Sequence, residues 1–545
     1  MQNAALARQF DLIAAYLELA GDSIFKIRAY RAAAEAIADY PAPIEDADLN
    51  VIEGLGAATI AKSREWFKTG KIKVLEQLKK EYPSGLLEVL RVPGLGPKKV
   101  QLLWKEKDID SIAKLQEALD KGELDTLNGF GPKTRDNLKI ALRRLGELTS
   151  RTPLPDATGQ ATKILLFMQE KLPGAKIEIA GSLRRGVDTV GNINFVASAE
   201  DAAPLLDAFA TFSGFETIVS RDENRIVGRF HDAVEAELVV SKPEKFGSTL
   251  WFHTGSRAHV EKGVEGDFAS EADLYRSLGV ATIPPELREG NGEWELAREN
   301  RLPHLVTERD IRGDLHTHST WSDGSATIRQ MAEAMIARGY AYFAVCDHSK
   351  ALAMTNGLDA FRVREQAHEI AEVQADFPNL KIFRGIECDI LRDGTMDLDD
   401  ELLSELDFVV GSVHSAFNLP LKEQTDRIIR AIQNPHVDLI GHPTGRVLGV
   451  RPAYDVDVPA LIEAARHTGC CLEINASERL DLKDDYARAT HEAGVLLCID
   501  TDAHSPRMLP NISFGVATAR RAGCEAKHIL NARSLDELLD WMRKR

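Results

Sequence analysis

The back half of this 545-residue chain gathers residue types that bind cations: 12 of its 15 histidines lie from His304 onward. DLHTHSTWSDG carries His316, His318 and Asp323, YFAVCDHS carries His348, and IFRGIECDI carries Glu387. FVVGSVHS adds His414, DLIGHPTG adds His442, and LLCIDTDAH adds Asp502 and His504. Each sits at or near the end of an apolar run of strand length. A lone His in such a place is commonly a hydrogen-bonded structural residue. Nine His, Asp and Glu residues at successive run ends would bury charge without partners unless cations were present. Mixed imidazole and carboxylate ligands suit Zn²⁺, Mn²⁺ or Fe²⁺ better than Ca²⁺, and this set is large enough for two or three ions. Clustered divalent ions activate water and stabilise the attacking and leaving oxygens of a phosphoester. The chemistry predicted is therefore metal-dependent phosphoester hydrolysis.

These residues need a frame that brings run ends together. From Asp314 onward seven apolar runs alternate with amphipathic helices, the pattern of a parallel sheet or barrel. Six runs deliver a ligand type to their C-terminal end, the edge on which β/α barrels build active sites; the seventh, CCLEINA, ends near Glu473 and Asn475. The six Cys lie between Cys346 and Cys524 without CxxC spacing, which argues against a disulfide scaffold or zinc ribbon and for reduced thiols in the cytosol.

The front of the chain is built differently. Three segments repeat an apolar lead-in, a Gly-x-Gly turn and a helix: Gly54/Gly56, Gly94/Gly96 and Gly129/Gly131. Such turns can present backbone N–H groups to a phosphate at a helix start, here with Lys98, Lys99 and Lys133 beside them. Three copies resemble the helix-hairpin-helix module, which grips a nucleic-acid backbone without reading sequence. Residues 151–175 carry a Pro-containing linker (RTPLPDATG) and then a helix, strand-like runs follow from Lys176, and ATIPPELREGNGEWELAREN reads as a connector.

Composition sets the outer limits. The length suggests three or four domains. With 44% hydrophobic and 28% charged residues the chain is not wholly disordered, and no stretch approaches the roughly 18 apolar residues of a membrane span. The N-terminus, with Asp11 and Glu18 among its apolar residues, reads as an amphipathic helix and not a signal peptide. Residues 1–150 carry a net charge of +1 and the remainder −18. The overall acidity weighs against non-specific coating of nucleic acid, so any DNA contact must be local.

HTHSTWSDG, DHS, GIECDI, SVHS, GHPTGR, EINA and TDAHS resemble the motifs of the polymerase-and-histidinol-phosphatase (PHP) domain, a distorted seven-stranded barrel. The resemblance assigns His316, His318, Asp323, His348, Glu387, His414, His442, Asp502 and His504 to a polynuclear catalytic metal site. It leaves Arg446 available to meet a substrate phosphate. GSLRRGVDTVGNINFV, KPEKFGSTLWFHTGS and IPPELREGNGE resemble the bacterial family X DNA polymerases, which join helix-hairpin-helix units and a nucleotidyltransferase palm to a PHP domain.

By that resemblance Gly181, Ser182 and Arg185 would cradle a triphosphate, with Gly191, Gly255 and Ser256 also in the nucleotide-binding remnant. The family's Asp-x-Asp is here Asn192-Ile193-Asn194, and Glu237 stands at the third carboxylate. Two neutral amides neither offset the charge of paired Mg²⁺ ions nor act as bases, and Glu237 adds a methylene to a site with rigid geometry. Val260 replaces a customary Asn, and the thumb segment after His259 is short. A palm that binds DNA or nucleotide but polymerises weakly or not at all is expected; a variant that still uses Mn²⁺ is the other reading. IFKIRAYRAAAEAI resembles the family's 5′-phosphate-binding domain, with Lys26 and Arg28 as phosphate contacts and Lys62 where lyase members carry a Schiff-base lysine.

The expected fold is multidomain, α+β and α/β. Residues 1–82 form a helical 5′-phosphate-binding domain with the first hairpin, and 83–150 carry the second and third. The palm spans 151–240, a truncated thumb and connector 241–295, and the PHP barrel 296–545. The expected function is a monomeric cytoplasmic, nucleoid-associated DNA-repair protein of the base-excision type. It would act on gapped, nicked or 3′-damaged duplex as a 3′–5′ exonuclease, with abasic-end trimming as a related activity. A gap-filling polymerase using Mg²⁺ or Mn²⁺ and a non-catalytic DNA-end scaffold are the alternatives.

Overall fold

A computed structural model describes the chain except residues 1, 41, 42, 53, 91, 93, 128, 150, 232 and 545, and the side chains of 2, 4, 35, 39, 46, 133, 140, 143–149 and 353. The chain folds as two compact units, Met1–Leu148 and Thr149–Arg545.

The first unit is helical around one continuous core that runs from Leu6 to Leu142, so the segments expected as two domains share their interior. Its three Gly-x-Gly turns are conformational copies. Gly54, Gly94 and Gly129 have φ of 89°, 89° and 87°, a region that costs a side chain energy but not glycine. At Gly54 a Cβ would also lie 3.0 Å from that of Ala36. The middle residues Leu95 and Phe130 are buried, which anchors each turn while the following helix, Pro97–Lys107 or Pro132–Thr149, starts at the surface.

The second unit begins where a linker was expected. Thr152–Pro153 pairs with Thr189–Val190, and a helix runs from Leu154 to Lys171. Pro155 falls in its first turn, where the missing N–H costs nothing, so the proline-rich sequence starts a helix instead of preventing one. A five-stranded sheet follows, in the order Lys176–Ala180, Asn192–Ser198, Glu235–Ser241, Arg225–Phe230, Phe215–Arg221. The second and third of these are parallel and the other pairs antiparallel. A small cluster of Trp251, Leu274, Tyr275, Ile283, Leu287 and Trp294 makes the shortened thumb and connector a packed element.

From Gly313 seven strands pair in parallel and in sequence order: Gly313–Thr317, Tyr342–Val345, Lys381–Asp389, Phe408–Ser412, Leu439–Ile440, Cys471–Asn475 and Leu497–Asp500. The first and last are sewn together: Asp500 accepts from the Leu315 N–H at 2.7 Å, and His318 N–H donates to the Ala503 carbonyl at 2.9 Å. Every strand contributes to a common buried cluster (Leu315, Tyr342 and Ala344, Phe383, Phe408 and Val410, Leu439, Cys471, Cys498), which closes the sheet into a filled barrel. Sheet and barrel share core: Leu448 and Leu480, from loops after two barrel strands, lie in the hydrophobic cluster of the five-stranded sheet.

Candidate metal centre

Parallel register sets the ends of the barrel strands level with one another. His316 lies within the first strand and His318 just beyond it, His348 follows the second, and Glu387 lies in the third. His414, His442, and Asp502 with His504 follow the fourth, fifth and seventh strands. A parallel bridge joins His348 to Glu387 directly. At Gly441 a Cβ would lie 2.5 Å from Ser412 Oγ and 2.8 Å from Val410 Cγ1, so glycine lets the strand before His442 pack against its neighbour. His442 and Asp502 sit at φ of 29° and 53°, backbone strain of the kind that surrounding contacts hold in place at functional sites.

Five of the nine expected residues converge on a sixth, Glu387, whose side chain is 1% exposed. Its Oε1 is 2.9 Å from His442 Nε2 and 3.2 Å from His414 Nε2. Its Oε2 is 2.8 Å from His348 Nδ1, 3.5 Å from His316 Nε2 and 3.6 Å from His318 Nε2. On the other side, Asp502 Oδ1 is 3.0 Å from His318 Nε2, and Asp323 Oδ1 is 3.3 Å from His504 Nε2 and 3.5 Å from His348 Nε2. Three overlapping groups result: His318–Asp323–His348–His504, His316–His318–Glu387 and His348–Glu387–His414. Two donors on one ion with bonds of about 2.1 Å stand roughly 3.0–3.4 Å apart, and the separations here, from 2.8 to 3.6 Å, straddle that range.

The buried polar atoms support the same fit. His316 Nε2, both nitrogens of His318, His348 Nδ1 and Glu387 Oε2 are buried without hydrogen-bond partners. Buried polar atoms are otherwise paired; these lone pairs face one another across spaces a cation would fill. Two outer nitrogens, in contrast, are anchored. His316 Nδ1 lies 2.7 Å from Glu473 Oε1, and His504 Nδ1 lies 2.8 Å from the Asp502 carbonyl oxygen. Such outer carboxylates and carbonyls fix ring orientation and turn the other nitrogen inward.

Charge balance in the site follows position. At His414 and His504 burial opposes charge, yet the nearby carboxylates outweigh it and push them up to about 10 and about 9. At His318 and His442 burial prevails, reinforced by His504 and His348 in the first case and Arg479 in the second, and both fall to about 3. Burial raises Asp323, but its hydrogen bond to His504 and the nearby His348 bring it down to about 2.

Arg446, expected to be available to a phosphate, is instead committed: Nη1 donates to Asp188 Oδ2 at 2.8 Å and Nη2 to the Leu480 carbonyl. The arginine beside the cluster is Arg479, with Nε 3.6 Å from Asp502 Oδ2. Nothing in EINASERL marks it, whereas Glu473 and Asn475 are visible as strand-end polar residues. Asn475 Nδ2 donates to Asp502 Oδ2 at 3.2 Å.

In the five-stranded sheet, Asn194 and Glu237 are register partners, and Asn194 Nδ2 donates to Asn192 Oδ1 at 3.3 Å. Glu237 is salt-bridged to Arg225, diagonal to it on the antiparallel neighbour. Gly181 packs so closely that a Cβ would meet Asn194 Nδ2 at 2.3 Å. Arg185 does not stand free for a triphosphate: Nε donates to Glu289 at 2.8 Å and Nη1 to the Thr254 carbonyl at 2.8 Å. Its neighbour Arg184 forks onto Glu271, which also pairs with the buried Arg288. Gly191 lies just before Asn192 at the start of its strand, while Gly255 and Ser256 join two short helices.

In the helical unit Lys98 and Gly96 are exposed at the start of the second hairpin helix, while Lys99 donates to the Gly94 carbonyl at 3.0 Å. Gly56 begins the first hairpin helix in the same way, and Gly131 the third. The Lys133 side chain lies outside the described residues. Lys26 pairs with Asp22 at 3.0 Å, and Arg28 lies in the same helix. Lys62 sits 5.5 Å over the Tyr30 ring and donates to the Ala58 carbonyl at 3.3 Å.

Known proteins share these parts. Residues 314–477 match the family described as PHP domain, residues 1–72 match Helix-hairpin-helix domain, and residues 86–144 match SAM-like Helix-hairpin-helix tandem. The chain is 36% identical to the DNA polymerase/3'-5' exonuclease PolX of Bacillus subtilis (strain 168) over a 570-residue alignment that covers 100% of both. It is 29% identical over 201 residues to a probable phosphatase of Acetivibrio thermocellus, covering 35% of this chain and 78% of that one. A probable phosphatase of Thermoanaerobacter sp. (strain X514) is 29% identical over 231 residues, 40% of this chain and 89% of the other.

Proposed function

The chain belongs to the bacterial family X DNA polymerases that carry a C-terminal PHP domain, and from that premise we propose that it is a DNA-repair nuclease. The barrel hydrolyses phosphodiesters from 3′ ends, the helix-hairpin-helix turns hold the DNA backbone, and polymerisation is weak or lost. One observation carries the nuclease reading: a buried carboxylate, Glu387, is faced by five imidazoles whose inward atoms include several without hydrogen-bond partners.

His316, His318, Asp323, His348, Glu387, His414, His442, Asp502 and His504 would hold two or three ions, with Zn²⁺, Mn²⁺ and Fe²⁺ all suited to such donors. Bound divalent ions supply polarisation of the phosphoryl oxygens and activation of the attacking water. The protein's own part is orientation. Glu473 fixes the His316 ring, the Asp502 carbonyl fixes His504, and Arg479 offers a guanidinium at the margin for phosphoryl oxygen.

The reading of the palm rests on lost charge. Asn192 and Asn194 are neutral, and Arg225 neutralises Glu237, so little anionic capacity remains for paired Mg²⁺. We assign 1–82 and 83–150 to DNA binding, 151–240 to the palm, 241–295 to the thumb remnant and 296–545 to the nuclease. The protein acts as a cytoplasmic, nucleoid-associated monomer on gapped, nicked or 3′-damaged duplex. The relative's name, which includes DNA polymerase, supports a second reading as a gap-filling polymerase with the barrel as proofreader. Primer extension with Mg²⁺ and with Mn²⁺ separates the two. The nuclease reading predicts that His316→Ala with His318→Ala abolishes Mn²⁺-dependent 3′–5′ degradation; unchanged cleavage refutes it.

A further inference from the structure

Among the described residues from 313 onward, exposed large apolar side chains are concentrated at one edge of the barrel. Met354, Phe361, Leu421, Val450 and Tyr486 lie in loops or first helical turns that follow strand ends, and Ile336, near the far end of its helix, is the exception. A β/α unit starts each helix on the edge where the preceding strand ends, so these side chains ring the edge that carries the metal centre. Phe361 is the second residue of the helix Ala360–Asp376 and is 69% exposed; Leu421 opens the helix Leu421–Ile432 and is 53% exposed. They follow the strands that lead to His348 and His414, the two neighbours of the strand carrying Glu387.

Single exposed apolar residues need no explanation, but their collection around one site does. The Phe361 segment is also tied to the metal-site loops. Leu358 N–H donates to the His348 carbonyl at 2.7 Å, and Asn356 and Arg362 both donate to the Trp321 carbonyl in the loop that carries Asp323. The net −18 of residues beyond 150 denies this half of the chain a broad attraction for phosphate. Nucleobases present apolar faces to which stacking side chains bind whatever the sequence. Helix starts lie outside the ring of strand ends, where bases a nucleotide or two from the reacting phosphate would fall.

Resting on the reading of the barrel as a phosphodiesterase, we propose that this apolar rim, led by Phe361 and Leu421, holds the nucleobases that flank the scissile phosphate. The rim thereby favours an oligonucleotide chain over a small phosphoester. The test uses the full chain with Phe361→Ala and Leu421→Ala together, and steady-state kinetics on a short single-stranded oligonucleotide and on methyl p-nitrophenyl phosphate, a small diester without a nucleobase. Loss of one stacked base is expected to raise the oligonucleotide KM roughly five- to a hundredfold, with kcat/KM for the small ester unchanged and Phe361→Trp retaining the wild-type KM. An oligonucleotide KM within twofold of wild type, or equal losses on both substrates, overturns the rim. A wild-type protein inactive on both substrates overturns the phosphodiesterase reading instead. Fluorescence anisotropy of the same oligonucleotide then still decides the rim, because unchanged affinity in the double variant counts against it.

Discussion

Glu387→Gln is the sharpest perturbation of the metal centre, because the amide keeps the size of the side chain and removes its charge. The carboxylate is 1% exposed and lies between 2.8 and 3.6 Å from nitrogens of His316, His318, His348, His414 and His442. A unit charge pair about 4 Å apart contributes about 4 kcal/mol at an effective dielectric near 20. Loss of that contribution for even one bound cation lowers its affinity by roughly a thousandfold. The amide also turns an N–H₂ towards rings whose inward nitrogens should be lone-pair donors. Metal content after gel filtration, measured by plasma emission spectroscopy, should fall by at least one ion per chain. Exonuclease kcat should fall about a thousandfold while the melting curve of the metal-free protein stays within a few degrees. A variant with its full complement of metal and activity within tenfold of wild type would refute the claim that Glu387 is the shared anchor of the site.

Glu473→Gln should cost roughly ten- to a hundredfold in metal affinity, read by competition with a chromogenic chelator, because it weakens orientation of His316 without removing a ligand. Asn192→Asp with Asn194→Asp should restore Mg²⁺-dependent primer extension only when Arg225→Ala also frees Glu237; restoration by the two Asp changes alone counts against the blocked palm. Arg288→Met strands part of the Glu271 charge, which keeps its fork from Arg184, and should destabilise the fold in urea titration by less than the roughly 3–5 kcal/mol of a fully unpaired buried charge. Burial pushes Glu271 up, but Arg184 and Arg288 hold it below the usual carboxylate range. Its stabilisation is therefore complete above the unfolded value of about 4.3 and lost as pH falls through the lower folded value, a loss that Glu271→Gln should remove from the acid-unfolding curve. Lys98→Ala should reduce the slope of log affinity against log salt for duplex DNA by about 0.9, one phosphate contact's worth.

The cluster of His, Asp and Glu at the candidate metal centre was legible because these residues recur at the ends of apolar runs, a pattern that parallel pairing converts into proximity. The Gly-x-Gly repeats were legible for a similar reason: three turns with φ near 88° need glycine at one position each time. What stayed hidden depends on contacts between distant segments. Arg446 reads as a free cation until Asp188, 258 residues away in sequence, is seen beside it, and Arg479 has no local signature at all. Arg225 could be matched to Glu237 only with the hairpin register in hand. Of the helix expected after RTPLPDATG, only the start at Leu154 was concealed, by two prolines, one just before it and one within its first turn, where proline is tolerated.

Leu448 and Leu480, fully or almost fully enclosed by residues of the neighbouring sheet, make the boundary at residue 296 a poor place to cut. A nuclease fragment begun there would present both leucines to water and leave the Arg446 guanidinium without its aspartate. Truncations meant to isolate the hydrolytic activity should therefore start near Thr149, or else recolour that seam with polar residues before the fragment is expected to stay dispersed.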